Sequence, residues 1–146
     1  MTADDAPENI IYGVQARACM RRSARVILVE HGKVLLLHRI KNGKEYYVVP
    51  GGGIEEGETP EQTAVREMRE ESSTDISNLR LLWETEDAFF FTASFTGTPM
   101  LSGPEVERQS PDNQYMLEWV PVNALQEIAL VPEWLKAKMP SEFRGA

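Results

Sequence analysis

Short segments in which apolar residues cluster or alternate with polar ones, bounded by turn residues, are typical of β-strands. This chain has such segments at 15–20, 25–29, 33–38, 46–49, 79–83, 88–96 and 114–120. The turn Glu30-His31-Gly32 predicts a hairpin between the second and third of them. Helices are predicted at 59–72 and 132–139, with a short helical stretch at 122–125 and a loop at 97–113. Strands on both sides of a central helix, with one more helix near the end, predict a mixed α/β (α+β) fold.

The central helix has a well-marked start in the sequence. Thr59 is a good N-cap, Pro60 suits the first helical position, and Gln62 completes a Thr-x-x-Gln capping box. The apolar positions of the helix are Ala64, Val65 and Met68. They cluster beside a group of acidic positions, offset from it by roughly 100° around the helix axis. We therefore expect one side of this helix to be buried and its acidic side to lie at the rim of a cleft.

Three carboxylates form that acidic side. Glu67, Glu70 and Glu71 stand at positions i, i+3 and i+4, which places them within an arc of roughly 100°. Like charges at this spacing repel, so the cluster is tolerated when it is solvated, partly protonated or bound to a cation. Hard divalent ions such as Mg²⁺ or Mn²⁺ are the natural partners of such oxygen ligands. The competing interpretation is a solvated acidic face without a ligand.

A glycine segment precedes the helix. The strand at 46–49 ends at Pro50, and Gly51, Gly52 and Gly53 follow it. Glycines in a loop allow the backbone to approach a ligand or an ion without interference from side chains. A solvated acidic face leaves this loop unexplained, so the two features together favour a ligand site.

The glycine segment and the acidic helix together resemble the signature of the Nudix hydrolase family. That signature reads Gly, five residues, Glu, seven residues, Arg-Glu, an apolar residue, any residue, Glu-Glu, any residue, Gly, apolar residue. This chain matches it at Gly52, Glu58, Arg66, Glu67, Met68, Glu70 and Glu71. Ser73 and Thr74 replace its final glycine and apolar residue, so every charged position is kept. Glycine at the first of these positions usually adopts a left-handed turn, which serine adopts at a cost of about 1 kcal/mol or more.

The resemblance implies an α/β/α sandwich around a mixed β-sheet. It also implies a hydrolase that cleaves the diphosphate (pyrophosphate) linkage of a nucleoside diphosphate joined to another moiety, with Mg²⁺ or Mn²⁺ as cofactor. The implied metal ligands are Glu67, Glu70, Glu71 and the backbone carbonyl of Gly52, and one glutamate could help to activate water. Arg66 cannot bind a cation, so its implied catalytic contribution is to pair with Glu58 and to orient the neighbouring glutamates.

Outside the signature, two positions on predicted strands are candidates for substrate binding. Arg39 closes the strand at 33–38 and could reach a substrate phosphate, while a surface arginine at a strand end explains it equally well. Tyr47 lies beside Tyr46 just before the glycine segment, where an aromatic ring could stack on a base. Because alternate strand residues face opposite sides, one of these two rings is expected in the core.

The family resemblance also implies a further acidic group from a loop remote from the helix. Glu105, within the loop at 97–113, is the first candidate for this substrate-binding position, ahead of Glu107 and Glu118. A surface residue is the alternative for each of the three. We assign no catalytic role to the two histidines of the chain.

Composition limits the possible domain number, partners and location of the protein. The 146 residues suit a single domain at 13–146 behind a disordered tail at 1–12, and 42% of them are hydrophobic. The net charge of −8 argues against a nucleic-acid polymer as partner, but not against a small nucleotide held through a metal ion. Cys19 is the only cysteine, so an internal disulfide is impossible. The acidic start and the lack of a long apolar run predict a cytoplasmic protein without membrane contact; a homodimer stays open.

Two other function classes compete with the hydrolase. One is a non-catalytic module that keeps the fold and binds a nucleotide, which the loss of an acidic ligand would have favoured. The other is an interaction protein whose acidic helix meets a basic partner. Among hydrolase substrates, nucleoside triphosphates, ADP-sugars and dinucleoside polyphosphates stay open, because the signature does not specify the loops that select them.

Overall fold

The computed structural model describes residues 21–144, so the predicted strand at 15–20, the tail at 1–12 and Cys19 lie outside the described residues. The strands are β1 (Ser23–Ile27), β2 (Val29–Glu30), β3 (Lys33–Lys41), β4 (Lys44–Val48), β5 (Gly51–Gly53), β6 (Asp75–Glu84), β7 (Ala88–Thr96), β8 (Asn113–Pro121) and β9 (Leu130–Val131). The helices are α1 (Pro60–Ser72), α2 (Pro104–Glu107) and α3 (Leu135–Glu142), and Val122–Glu127 forms a 3₁₀ helix. No helix within residues 21–144 is long and apolar enough to span a bilayer.

The strands form two mixed sheets. The first has the order β5-β1-β7-β6, in which β1 is antiparallel to β5 and parallel to β7. In the second, β3 is antiparallel to β2, β4 and β8, and β9 runs parallel to β4. The amide of Leu35 donates a hydrogen bond to the carbonyl of Leu28 (3.0 Å) and so connects β3 to the chain segment after β1.

Helices cover opposite sides of these sheets. Ala64 and Met68 of α1 are fully buried and belong to one apolar cluster with Val26 of β1. Ile27, the next residue of the same strand, belongs instead to the cluster that contains Leu135 of α3. Because neighbouring strand residues point to opposite faces, α1 and α3 lie on the two sides of the sheet. This confirms the α/β/α sandwich and the mixed sheet expected from the sequence.

The hairpin expected between 25–29 and 33–38 is only partly correct. The apolar segment divides at Leu28, which is fully buried but belongs to neither strand. Before it, β1 pairs with β5 and β7; after it, the two residues of β2 pair with β3. The turn at Glu30-His31-Gly32 is therefore present, but most of the first segment belongs to the other sheet.

A second hairpin escaped the sequence analysis. Lys41 pairs with Lys44 across Asn42 and Gly43, both of which have positive φ (53° and 80°). An Asn-Gly pair between two strands is the strongest short-range hairpin signal, and it was available in the sequence. The hairpin makes β3 and β4 longer than predicted at this end.

Three further expectations need correction. Gly51–Gly53 forms strand β5 rather than a free loop, because its backbone pairs with β1. The predicted loop at 97–113 contains the short helix α2. The closing helix begins at Leu135 rather than at Pro132, and β9 precedes it; two-residue strands such as β9 are too short to leave a periodic pattern.

Candidate active site

Helix α1 begins as its sequence predicts. The Gln62 amide donates to Thr59 Oγ1 (3.1 Å), and the Thr59 amide donates to Gln62 Oε1 (2.9 Å). This reciprocal pair is the capping box. The start of the helix is thereby fixed, and its burial against β1 turns Glu67 and Glu71 towards β5.

Two of the three predicted carboxylates meet the glycine strand. A Cβ atom at Gly52 would lie 2.3 Å from Cδ of Glu67, and 2.5 and 2.6 Å from its two carboxylate oxygens. The amide of Gly51 donates to Glu71 Oε1 (3.0 Å), and Glu71 is only 5% exposed. Gly52 is thus needed for the close approach of the backbone to the Glu67 carboxylate, whereas the sequence suggested that the glycines allow the approach of a ligand.

Arg66 joins the acidic residues of the signature. Its Nε and Nη2 atoms donate to the two oxygens of Glu58 (2.6 and 3.0 Å), a bidentate pair. Its Nη1 atom donates to Glu67 Oε2 (2.9 Å) and Glu70 Oε1 (3.2 Å), and Nη2 also reaches the carbonyl of Gly53 (3.3 Å). The expected pairing with Glu58 is therefore present, and the guanidinium holds both neighbouring glutamates and the glycine strand together.

Glu58 is a fixed anion in this network. Besides Arg66 it accepts hydrogen bonds from the Thr63 hydroxyl (2.7 Å) and the Glu55 amide (3.1 Å). These bonds, with that of Arg66 the largest contribution, lower the pKa of Glu58 from 4.5 to about 2. The same ion pair raises the pKa of Arg66, so both groups are charged at neutral pH.

This network makes stability depend on pH in a defined window. Since the folded pKa of Glu58 lies below its unfolded value, the stabilisation is complete above 4.5 and is lost as the pH falls towards 2. The free energy of unfolding of wild type minus that of Glu58→Gln should therefore be largest above about pH 5 and shrink below it. Urea denaturation at a series of pH values measures this difference, with exposed Glu56→Gln as the control. A difference that stays constant down to about pH 2.5 would contradict the linkage.

The pKa of Glu67 is shifted in the opposite direction from that of Glu58. Burial raises the pKa of Glu67, and the hydrogen bond and charge of Arg66 offset only part of this effect. The charge of Arg25 also lowers the pKa of Glu67, and Arg25 Nη1 donates to the carbonyl of Val49 (3.2 Å) beside the glycine strand. The sequence analysis missed Arg25 as a site residue. Its signal was a single charge within the apolar segment of β1.

The carboxylate oxygens of the signature are of the kind that binds a hard cation. Glu67 Oε1 and Glu70 Oε2 accept no hydrogen bond from residues 21–144. Four carboxylates lie within 3.8 Å of the single positive charge of Arg66, those of Glu55, Glu58, Glu67 and Glu70. The side chains are nevertheless not gathered as a coordination sphere. Within residues 21–144, no group of three or more His, Cys, Asp or Glu is arranged to hold a metal ion, and the guanidinium of Arg66 lies between Glu67 and Glu70.

Arg39 lies on the second sheet, among aromatic rings. Its guanidinium carbon is 3.8 Å from the ring centroid of Tyr115 and 5.8 Å from that of Tyr46. It donates to Asn113 Oδ1 (2.6 Å) and to the carbonyl of Gln114 (3.4 Å). None of these contacts involves a residue of the signature. They restrict the motion of the half-buried guanidinium, one planar face of which stacks on the ring of Tyr115.

Tyr47 occupies a different environment from the one we expected for a base-stacking residue. It is 9% exposed, and its ring stacks on that of His38 with centroids 4.1 Å apart. The ring nitrogens of His38 in turn face Glu45 and Glu118 (2.5 and 3.0 Å). Burial and the negative charges of Glu118 and Glu45 raise the pKa of Tyr47. Its ring is already covered within the protein, whereas Tyr46 lies on the opposite face beside Arg39.

The remaining acidic candidates lie in two different elements of the fold. Glu105 lies in α2, and Glu118 lies in β8, where its carboxylate binds His38 rather than the signature residues. Glu107 is exposed at the end of α2. The segment before α2 contacts the end of α1, since the amides of Met100 and Ser102 donate to the carbonyls of Ser72 and Glu71 (both 2.8 Å).

Comparison with known sequences agrees with the signature. The sequence model of the NUDIX domain matches residues 20–140. NAD-capped RNA hydrolase NudC of Erwinia tasmaniensis is 46% identical over 61 residues, which are 42% of this chain and 20% of that protein. The uncharacterized Nudix hydrolase YvcI of Bacillus subtilis is 29% identical over 127 residues, or 77% of this chain and 73% of that protein. The chain thus spans about a fifth of the length of the NudC relative.

Solved structures share the fold. A chain from a study of MutT of Aliivibrio salmonicida and Vibrio cholerae superposes with a TM-score of 0.68 at 18% identity, covering 84% of this chain and 98% of that one. MutT of Bacillus halodurans gives a TM-score of 0.58 at 26% identity, covering 81% and 80% of the two chains. These likenesses cover more than four fifths of this chain and so extend well beyond the signature.

Proposed function

Because this chain belongs to the Nudix family, whose sequence model covers residues 20–140, we propose that it is a metal-dependent hydrolase. It cleaves the diphosphate linkage of a nucleoside diphosphate joined to another moiety. The observation that carries this proposal is the convergence of Glu67 and Glu71 on the backbone of Gly52 and Gly51. An acidic helix that served only solubility would not need a glycine strand pressed against its carboxylates.

The proposed metal ligands are Glu67, Glu70, Glu71 and the carbonyl of Gly52. A Mg²⁺ or Mn²⁺ ion held by these residues would neutralise phosphate charge and help to activate water. The chain itself supplies the alignment of the ligands. Glu71 is oriented by the amide of Gly51, and Glu67 is confined between Gly52 and Arg66. Both carboxylates are thus held at the glycine strand, while the guanidinium of Arg66 lies between Glu67 and Glu70.

Arg66 has a positioning role in this proposal. Its bidentate bond to Glu58 fixes the guanidinium plane, and the remaining donor holds Glu67 and Glu70. Its positive charge also offsets the repulsion between the carboxylates, since like charges at this helical spacing repel. A lysine at this position could not form the same set of bonds, because an ammonium group lacks the planar fork.

Arg39 is the proposed contact for the rest of the substrate. Its Nη1 atom donates to no acceptor within residues 21–144, while stacking on Tyr115 and bonding to Asn113 restrict the motion of the guanidinium. A held guanidinium binds a phosphate group at a smaller entropic cost than a mobile side chain. Tyr47 is not part of the proposed site, since His38 covers its ring.

The relatives named for RNA substrates do not decide the substrate of this chain. The RNA pyrophosphohydrolase of Pelagibacter ubique, like NudC, matches only 42% of this chain. The net charge of −8 disfavours a long polyanion. We therefore retain small nucleotide derivatives as the proposed substrates.

A substrate panel tests the proposal. Purified protein is incubated with a nucleoside triphosphate, an ADP-sugar and a dinucleoside polyphosphate, each with Mg²⁺, Mn²⁺ or chelator. We expect metal-dependent release of a nucleoside monophosphate or pyrophosphate from at least one class. Glu71→Gln, purified in the same way, controls for contaminating phosphatases. If the wild type released product no faster than Glu71→Gln from any substrate class, the hydrolase proposal would be rejected. The non-catalytic nucleotide-binding module would then be favoured.

Metal binding should also be visible without catalysis. A ligand that binds only the folded state, at a hundredfold excess over its Kd, raises the free energy of unfolding by about 2.7 kcal/mol. We expect Mg²⁺ or Mn²⁺ to have this effect on the wild type and not on the triple variant Glu67→Gln, Glu70→Gln, Glu71→Gln. Thermal melts of both proteins with and without metal measure it. Equal shifts in the two proteins would place the ion elsewhere.

A further inference from the structure

The segment before α2 closes the C-terminal end of α1 in an unusual way. The last four carbonyls of a helix lack partners within the helix. Here the Ser102 hydroxyl donates to the carbonyl of Glu70 (2.7 Å), and the Ser102 amide donates to the carbonyl of Glu71 (2.8 Å). One residue from a distant segment therefore binds the backbone of both terminal glutamates of the signature.

Ser73 joins the same contact. It adopts the left-handed conformation (φ 56°, ψ 34°) at the position where the family signature has glycine. Its hydroxyl donates to the Ser102 hydroxyl (3.1 Å), a bond that glycine could not make. The departure from the signature is thus coupled to Ser102, and the pair ties the 100–102 segment to the end of α1.

We propose that Ser102 is a positioning residue for the hydrolysis reaction, an inference that rests on the proposed function. Glu71 is held at both ends, with its carboxylate bonded to the Gly51 amide and its carbonyl to the Ser102 amide. The side chain of Glu70 is 55% exposed and bonds to Arg66, and the bond from the Ser102 hydroxyl to its carbonyl ties the residue to a second segment of the chain. Misplacement of a catalytic group by about 1 Å can lower a rate by about a hundredfold.

The test compares Ser102→Ala with Ser102→Thr. Alanine removes the hydroxyl bonds to Glu70 and Ser73, whereas threonine keeps a hydroxyl. We expect Ser102→Ala to lower kcat about fivefold or more, with KM within about twofold, and Ser102→Thr to recover most of kcat. The dissociation constant for Mn²⁺, measured by titration without substrate, should rise in parallel for Ser102→Ala.

Thr85→Ala is the matched control for stability. The Thr85 hydroxyl accepts hydrogen bonds from the amides of Asp87 and Ala88 in the turn between β6 and β7, away from α1. An equal loss of kcat in Thr85→Ala and Ser102→Ala would attribute the effect to general destabilisation and overturn the proposal. Unchanged kcat and Mn²⁺ affinity in Ser102→Ala would overturn it as well.

A double variant tests whether Ser73 acts through Ser102. If it does, Ser73→Ala should add little to the effect of Ser102→Ala, because coupled changes are not additive. Independent, additive losses would overturn this part of the inference. Measurements on the wild-type protein distinguish a failure of the proposed function from a failure of the positioning role. If the wild type neither binds Mn²⁺ nor hydrolyses any substrate class, the proposed function fails. If the wild type is fully active and Ser102→Ala is equally active, only the positioning role is rejected.

Discussion

Replacing Glu71 with glutamine should lower the turnover number by at least about a hundredfold, which corresponds to about 2.7 kcal/mol of lost transition-state stabilisation. Glutamine has nearly the same shape and keeps an oxygen that can accept the bond from the Gly51 amide. The substitution therefore removes the negative charge while leaving the packing of this buried position in place. Steady-state kinetics at saturating metal concentration measure the effect, and circular dichroism checks that the variant is folded.

Glu61→Gln is the control for this prediction. Glu61 lies in the first turn of the same helix and is exposed, so its substitution changes the net charge equally without touching the glycine strand. We expect its turnover number to stay within about threefold of the wild type. If Glu71→Gln were as active as Glu61→Gln, the buried carboxylate would have no part in the reaction.

Gly52→Ala should reduce turnover by about a hundredfold with only a small loss of stability. Gly52 does not have a positive φ, so alanine fits its backbone conformation. The new Cβ would, however, lie 2.3 Å from Cδ of Glu67, and the flexible end of that side chain must move away. The displaced carboxylate leaves its bond to Arg66 and its place at the glycine strand. Gly52→Ala should therefore lower the turnover number strongly while it changes the melting temperature little.

Two comparisons make this prediction specific. If Gly52→Ala acts through Glu67, the double variant Gly52→Ala, Glu67→Gln should be about as active as Glu67→Gln alone. Gly51→Ala should behave in the opposite way, because its Cβ would lie 2.1 Å from the backbone carbonyl oxygen of Ala24. That clash involves the sheet itself and should lower stability. A Gly52→Ala variant with wild-type turnover would show that the position of Glu67 is unimportant.

The features that the sequence predicted best follow local rules. The start of α1 depends on Thr59, Pro60 and Gln62, which lie within one helical turn and satisfy each other. The burial of Ala64 and Met68 follows from the helical period. The pairing of Arg66 with Glu58 was expected from the family signature and is present.

What the sequence could not predict depends on contacts between distant segments. The glycine segment forms a strand because its residues pair with those of β1, which stand 26 to 30 positions earlier in the chain. Tyr46 and Tyr47 could not be assigned to faces until the register of β4 with β3 was known. The contact between Ser73 and Ser102 joins residues 29 positions apart, and nothing in the local pattern of either residue indicates it.

The division of the protein into two sheets separates two kinds of residue. The carboxylates of α1 and the glycines of β5 are attached to the first sheet, whereas Arg39, Tyr46 and Tyr115 belong to the second. Exposed side chains along β3, β4 and β8 can therefore be exchanged while the contacts of Glu67 and Glu71 with β5 stay intact. The proposed metal ligands and the proposed substrate contact Arg39 can in this way be altered independently of one another.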